Sequence, residues 1–415
     1  MKRPNRLWFF ALTHVLVIIL GVVIGIRVAS GLTFRQLIGL STNISYSELA
    51  RVQNTNVPAE HTDVDFSLFW EVWARLERDY LDPGKMDAQQ MVYGAIAGMT
   101  EAIGDPYTAF LPPETKQRLN EDLQGEFNGV GIQLGYIDGQ LAVIAPLKGH
   151  PAEAAGVKAG DYILGIKDPT KNVDTDTINM TAEEAVSLIR GKKNTTVTLT
   201  MLSPGEDPRD VELVRDTIEI PSLEISFVEN NDNQYAYLEL SRFGDKTLQE
   251  WEAAVQQIQQ RNDVDGIILD MRGNPGGYLQ DAIEISSDFF NGGVVVSQQG
   301  RNSTQSYRTT RSARLDSLPV VVLVNKGSAS ASEIVAGALR DRRSAVLVGE
   351  QTFGKGTVQD AQQLPGGAGL NITIARWLLP SGNSIQDSGL PVDVEVTDNP
   401  DTEQDEVLER AYESF

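Results

Sequence analysis

With 415 residues, 41% of them hydrophobic, the chain is long enough to build two or three cores of its own. A formal net charge of -22 argues against a nucleic-acid or anionic-lipid surface, which needs clustered Lys and Arg. Cysteine is absent, which excludes disulfides, thiolate metal sites and cysteine nucleophiles; with only His14, His61 and His150 present, no metal or cofactor is expected.

In chain order, Lys2, Arg3 and Arg6 precede an apolar run from Leu7 to Ile26 that Arg27 closes. That is close to the roughly 20 residues a hydrocarbon core demands. Residues 1–30 therefore read as a signal anchor, a transmembrane helix whose positive flank stays cytoplasmic while the rest of the chain lies outside, periplasmic or extracellular. Val28-Ala29-Ser30 is small enough for a cleavage site, so a removable signal peptide stands as the alternative. Residues 31–65 are polar and aperiodic and read as a linker.

Residues 66–112 are expected to form a small helical region. Phe66, Phe69, Trp70, Trp73 and Leu76 fall at helical spacing, as do Met91, Ala95 and Met99, and such stripes ordinarily pack into a core. Residues 113–207 alternate short apolar runs with glycine turns, a β-rich module with one helix near 181–189. In residues 208–398 buried strands alternate with helices, which predicts an α/β core with active residues at strand ends. Residues 399–415 are an acidic tail, a docking helix or a solvated end.

Three segments of the α/β part carry chemistry. Asp270-Met271-Arg272-Gly273-Asn274-Pro275-Gly276-Gly277 ends a strand in a glycine turn. Val324-Asn325-Lys326-Gly327-Ser328-Ala329-Ser330-Ala331-Ser332-Glu333 runs from an apolar strand into serines at the start of a helix, where the helix dipole and free N–H groups favour an oxyanion. Ser330-Ala331-Ser332-Glu333 equally fits a capping box. Gly349-Glu350-Gln351-Thr352-Phe353-Gly354-Lys355-Gly356-Thr357-Val358-Gln359 offers a lysine. A serine hydroxyl needs a base, and with histidine lacking, a lysine brought down by burial from about 10.4 toward 7 or 8 is the candidate.

Asn128-Gly129-Val130-Gly131-Ile132 resembles the carboxylate-binding loop of PDZ domains, and His150 to Ile163 resembles their bacterial "SPAxxAGLxxGDxI" segment. The peptide-binding residues would be Gly129, Val130, Gly131 and Ile132, with His150 in a turn or capping role. The three chemical segments, with Gly104 to Leu111 and Ala375 to Gly382, are similar to the signature of the C-terminal processing peptidases, the tail-specific serine proteases of family S41. The resemblance covers about residues 66–396. It implies a multidomain α+β and α/β protein with an α/β serine protease core of the ClpP/crotonase type. It further implies Ser330 as nucleophile, Lys355 as general base, Gln359 as its positioning partner, and the N–H groups of Gly276 and Ala331 as oxyanion hole. The partners expected are protein or peptide substrates held by their C-termini, the membrane through the N-terminal helix, and, within the family's range, a second copy as homodimer. Asp168 to Asn172 lengthens a PDZ hairpin, which bears on peptide selectivity, and Arg190 is a candidate contact between PDZ and protease. Two rivals stand: a catalytically inactive PDZ scaffold, and a nucleotide site at 349–356, where Gly356 replaces the Ser or Thr of a phosphate loop and no helix is expected to follow.

Overall fold

The computed structural model describes residues 65–399, 402 and 404–415. The signal anchor and all of the linker before Asp65 lie outside the described residues; among those described, no helix is long and apolar enough to cross a membrane. The chain divides into two units, one ending at Gly94 and one beginning at Ala95.

In the first unit, α1 (Ser67–Asp79) forms where the aromatic spacing predicts it, and α2 (Ala88–Glu101) runs across the division. The α1 rings touch one another, Phe69 lying edge-on to Trp70 with centroids 4.9 Å apart. The expected core packing does not follow, for no α1 residue is buried and Leu68 is 69% exposed. A helical stripe specifies a face, and no described surface covers this one.

The second unit continues with β1 (Ala109–Leu111), α3 (Pro113–Gln124) and β2 (Glu126–Gly129). The β-rich module contains β3 (Ile132–Ile137), β4 (Gln140–Pro146), α4 (Pro151–Ala154), β5 (Tyr162–Asp168), β6 (Val173–Asp176), α5 (Ala182–Ile189), β7 (Thr196–Leu202) and β8 (Arg209–Val214). Its sheet runs β3-β4-β5-β7-β8 with β6 on β5, which leaves β3 as an edge strand beside α5. Thr181 caps α5, its hydroxyl accepting the Glu184 N–H while Glu184 accepts the Thr181 N–H. β9 (Asp216–Glu219) pairs antiparallel with β2, joining the module's exit to its entry.

The α/β part follows with β10 (Leu223–Asn230), β11 (Asn233–Leu240), α6 (Thr247–Gln259), β12 (Gly266–Asp270), α7 (Leu279–Ser287), β13 (Val294–Gly300), β14 (Thr304–Arg308), β15 (Val320–Val324), α8 (Ala331–Arg343), β16 (Val346–Gly349), β17 (Thr357–Gln363), β18 (Gly369–Leu378), β19 (Val394–Glu395) and α9 (Glu406–Tyr412). One sheet runs β10-β11-β12-β15-β16-β19, parallel from β11 onward. Its strands are apolar on both faces because both are covered. Ile267, Leu269, Val322, Val324 and Leu347 pack with α6, α7 and α8, while Ile268, Val321, Leu323 and Val348 pack with Val407 and Ala411 of α9. The tail is thus a docked helix.

A second sheet runs β1-β18-β13-β14, with β17 also on β18. Ala109 pairs with Asn371, so a strand preceding the β-rich module belongs to the sheet beside the α/β layer.

Candidate active site

The turns after β12, β15 and β16 leave the same end of three neighbouring parallel strands. This topology brings the three chemical segments together although as many as about seventy residues separate them, and the carboxyl ends of parallel strands are where such sheets bind ligands.

Three serines stand at the second of these turns, and their surroundings differ. The Ser328 hydroxyl donates to Met271 O at 2.8 Å and accepts the Asn325 N–H at 2.9 Å, and the Ser332 hydroxyl donates to Asn274 O at 2.9 Å; both residues are fully buried. These two serines stitch the β15 turn to the β12 turn. Ser330 is only half-buried and sits at the mouth of α8 with φ 55° and ψ -112°. A non-glycine residue rarely adopts that backbone, which persists only where the surroundings hold it.

What holds it is Glu333, a carboxylate with no exposure. Its Oε2 accepts the Ser330 N–H at 2.8 Å and the Lys355 N–H at 3.0 Å, and its Oε1 accepts the Gly354 N–H at 2.7 Å and the Thr352 hydroxyl at 2.6 Å. The glutamate half of the expected capping arrangement therefore exists, and the same side chain also anchors the lysine segment. One oxygen ties down the backbones of Ser330 and Lys355 together.

Lys355 is half-buried, and its Nζ lies 5.4 Å from the ring centre of Tyr107. Among the described residues no carboxylate pairs with it. Burial pushes its pKa below the usual lysine value, only partly opposed by the charge of Glu333. No hydrogen bond joins Ser330 Oγ to Lys355 Nζ among the described residues; such contacts commonly tighten only when substrate closes a site. Gln359, on β17, donates from Nε2 to Thr357 Oγ1 at 2.8 Å and Thr373 Oγ1 at 3.2 Å rather than reaching the lysine.

Gly276 lies directly against the serine. A Cβ there would stand 2.8 Å from Ser330 Cβ and 2.9 Å from Ala331 N, and its φ of 98° suits glycine alone. The Gly276 N–H is donated to Asn274 Oδ1 at 2.9 Å, whereas those of Ala331 and Gly277 meet no acceptor among the described residues. The structure thus gathers Ser330, Ala331, Gly276 and Lys355 into one place and leaves Gln359 on the neighbouring strand, bonded to threonines.

The nucleotide alternative loses its basis here. Thr357–Gln363 is a strand, so no helix follows the glycine-lysine run, and the Gly354 and Lys355 N–H groups that would cradle a phosphate already bind Glu333.

Within the β-rich module, the carbonyls of Val130 and Gly131 are turned inward, accepting the N–H groups of Ala152 and Leu147 at 2.9 Å each. The N–H groups of these two residues find no acceptor among the described residues. Gly129 ends β2, Ile132 begins β3, and beside them runs a groove lined by Phe127, Val186, Ile189 and Arg190. His150 precedes α4 without capping it through its side chain and packs on Gly131. Arg190 lies over the Phe127 ring at 3.9 Å.

Glu333 and Tyr107 are the site residues that sequence reasoning did not single out for chemistry. Glu333 was visible only as a helix cap. Tyr107 stood inside the Gly104 to Leu111 segment, which is anchored where Thr108 Oγ1 accepts the Thr373 N–H at 3.0 Å.

Comparison with known proteins agrees with this picture. Residues 234–396 match peptidase family S41 and residues 116–202 match the PDZ domain. The carboxy-terminal processing protease CtpA of Bacillus subtilis is 35% identical over 329 residues, 79% of this chain and 68% of that protein. A carboxyl-terminal-processing protease of Picosynechococcus is 37% identical over 341 residues, 81% of this chain and 80% of that protein. Among solved structures, a putative S41 protease from Bacteroides fragilis shares the fold, with a TM-score of 0.53 at 17% identity, covering 83% of this chain and 92% of that one. The chain belongs to peptidase family S41, among the carboxy-terminal processing proteases, and is a serine protease with a PDZ domain.

Proposed function

We propose that the chain is an endopeptidase in which Ser330 and Lys355 form a catalytic dyad and the PDZ loop holds the substrate's terminal carboxylate. The observation that carries the dyad is Glu333 Oε2, which accepts the backbone N–H groups of both residues. Neutral Lys355 Nζ takes the Ser330 proton as Oγ attacks the scissile carbonyl carbon. The resulting oxyanion is received by the Ala331 N–H and by the glycine turn, from the free Gly277 N–H or from Gly276 once it leaves Asn274. The C–N bond then breaks, the lysine returns the proton to the leaving amine, and a water activated by the same lysine hydrolyses the acyl-enzyme. Gln359 acts from β17 through Thr357 and Thr373, beside the lysine segment.

Carboxylate recognition rests on the free N–H groups of Val130 and Gly131, with the open edge of β3 pairing with an extended peptide. The relatives' names describe processing of carboxy termini, and the same substrate class is proposed here. The positive flank and apolar run at the N-terminus support a single-pass anchor with the protease outside the cytoplasm.

The test compares the full chain with Ser330→Ala and Lys355→Ala on unstructured polypeptides carrying free or amidated C-termini. Cleavage should vanish in both variants, and amidation should weaken it by about tenfold through KM. Full activity in either variant refutes the dyad, and indifference to amidation refutes carboxylate recognition.

A further inference from the structure

The glycine turn beside Ser330 needs support from outside itself. Gly273, Gly276 and Gly277 have φ of 68°, 98° and 139°, which glycine reaches without steric cost but in which it loses more conformational freedom on being fixed than any other residue. From the inside the turn is held by Asn325, whose Oδ1 accepts the Gly273 N–H at 2.8 Å, and by Asn274, whose Nδ2 donates to Leu240 O at 2.8 Å. From the outside it is held through Arg272, the residue that opens it.

The Arg272 guanidinium lies between two carboxylates. Its Nε donates to Asp270 at 2.9 Å, while Nη1 and Nη2 donate to the two oxygens of Asp405 at 2.9 and 2.7 Å. Asp270 is further fixed by the Tyr237 hydroxyl at 2.6 Å and accepts the Arg272 N–H at 2.9 Å. The second carboxylate comes from the far end of the chain. Asp405 is the N-cap of α9, accepting the Leu408 N–H at 2.8 Å, so one side chain both starts the docked tail helix and grips the arginine. A two-toothed arginine–carboxylate pair fixes direction as well as distance.

We propose that Asp405 is a positioning residue for catalysis: through Arg272 it sets the glycine turn against Ser330, so the tail helix contributes to turnover without touching substrate. The inference rests on the turn serving the oxyanion, as proposed above. A displacement of about 1 Å at such a site is enough to cost one to two orders of magnitude in rate.

Asp405→Asn separates the two duties of the side chain, because asparagine caps a helix as well as aspartate does but cannot match the arginine fork with a carboxylate. In the full chain, kcat on an unstructured polypeptide should fall about tenfold with KM unchanged, and amide exchange at Gly273, Asn274 and Gly276, whose N–H groups are hydrogen-bonded, should accelerate, while Asp405→Glu restores part of both. Val407→Ala, which loosens α9 without touching Arg272, should lower the melting temperature and leave kcat alone. Unchanged exchange in Asp405→Asn overturns the inference whatever the activity, and faster exchange with unchanged kcat overturns the link to catalysis. An equal loss of kcat in Val407→Ala also overturns it, since α9 would then act only as packing. If Ser330→Ala retains activity, the dyad fails instead, and the exchange measurement still decides whether Asp405 holds the turn.

Discussion

Of the serines at the β15 turn, only Ser330 has a hydroxyl not committed to joining two loops, and Glu333 is what makes its position tenable. Replacing Glu333 by Gln turns one acceptor oxygen into a donor facing N–H or hydroxyl groups that need acceptors, and leaves buried donors unmet. Glu333→Gln should reduce kcat by about a hundredfold and destabilise by about 2–3 kcal/mol, as read by turnover and urea unfolding. Lys355 makes the opposite case. Its folded pKa lies below its unfolded value, so between the two the folded state binds fewer protons and stability rises with pH. The cost of burying the charged form is therefore complete below the folded value and fades as pH nears 10.5. Lys355→Met should abolish cleavage yet leave the melting temperature equal or about 2 °C higher at pH 7, whereas activity of the wild type should climb with pH as the amine becomes neutral. A melting temperature well below wild type would show the lysine to be structural.

Among the elements, the segment Asp168 to Asn172, read from the sequence as lengthening a PDZ hairpin, is tied to α5. Asp168 and Arg215 form an ion pair at 2.6 Å with neither side chain exposed, Arg215 donates to Ile189 O at 2.6 Å, and Lys171 Nζ donates to Ser187 O and Leu188 O at 2.9 and 3.0 Å. The insertion supplies one cation, Lys171, to the carbonyl end of the helix walling the peptide groove, and through Asp168 it holds a second, Arg215 from the end of β8, against the same end. Arg215→Met leaves a buried carboxylate without its partner and should cost about 3–5 kcal/mol, seen as a lowered urea midpoint of the PDZ module, with Asp168→Leu restoring part of the loss in the double variant. Much at this scale was legible beforehand. Continuous apolar runs alternating with helices announced the strands of the α/β sheet, and the serine run between the Val320–Val324 strand and the apolar residues Ile334, Val335, Ala338 and Leu339 at helical spacing announced the mouth of α8. Pairings across long stretches of chain were not, because nothing local encodes them: Ala109 against Asn371, the hold of Glu333 on Thr352 and Gly354, or the attachment of Asp405 to Arg272. The stripe on α1 fixed a helix correctly and its burial wrongly, since periodicity defines a face without saying what covers it.

For the unit from Ala95 to Phe415 as a whole, response to pH depends on carboxyl groups that pull in opposite directions. Asp168 and Asp405 are held below the usual carboxylate range: burial opposes their ionisation, but hydrogen bonds from Thr170 and Arg215 in one case, and from Arg272 and the Leu408 N–H in the other, outweigh it. Their contribution is present above the unfolded value near 4 and is lost as pH falls through their lower folded values. Asp281 runs the other way. It is 5% exposed on α7, its Oδ2 has no hydrogen-bond partner among the described residues, and burial together with the nearby charges of Asp245 and Glu284 pushes its pKa up to about 7. A carboxyl whose folded value is raised binds more protons folded than unfolded between about 4 and about 7, so stability declines with pH across that window and the penalty is complete above it. The net charge of -22 adds self-repulsion in the same direction. Melting temperature should therefore peak between about pH 4 and 6. Asp281→Asn removes the ionisable group while keeping its volume, and should match the wild type near pH 4, diverge as pH rises, and be the more stable protein at pH 8 by no more than about 4 kcal/mol. Thermal melts of both proteins across that range measure the difference directly: a constant gap would mean that the carboxyl does not titrate in this window, and a variant less stable at pH 8 would mean that its charge is compensated by a partner the fold supplies.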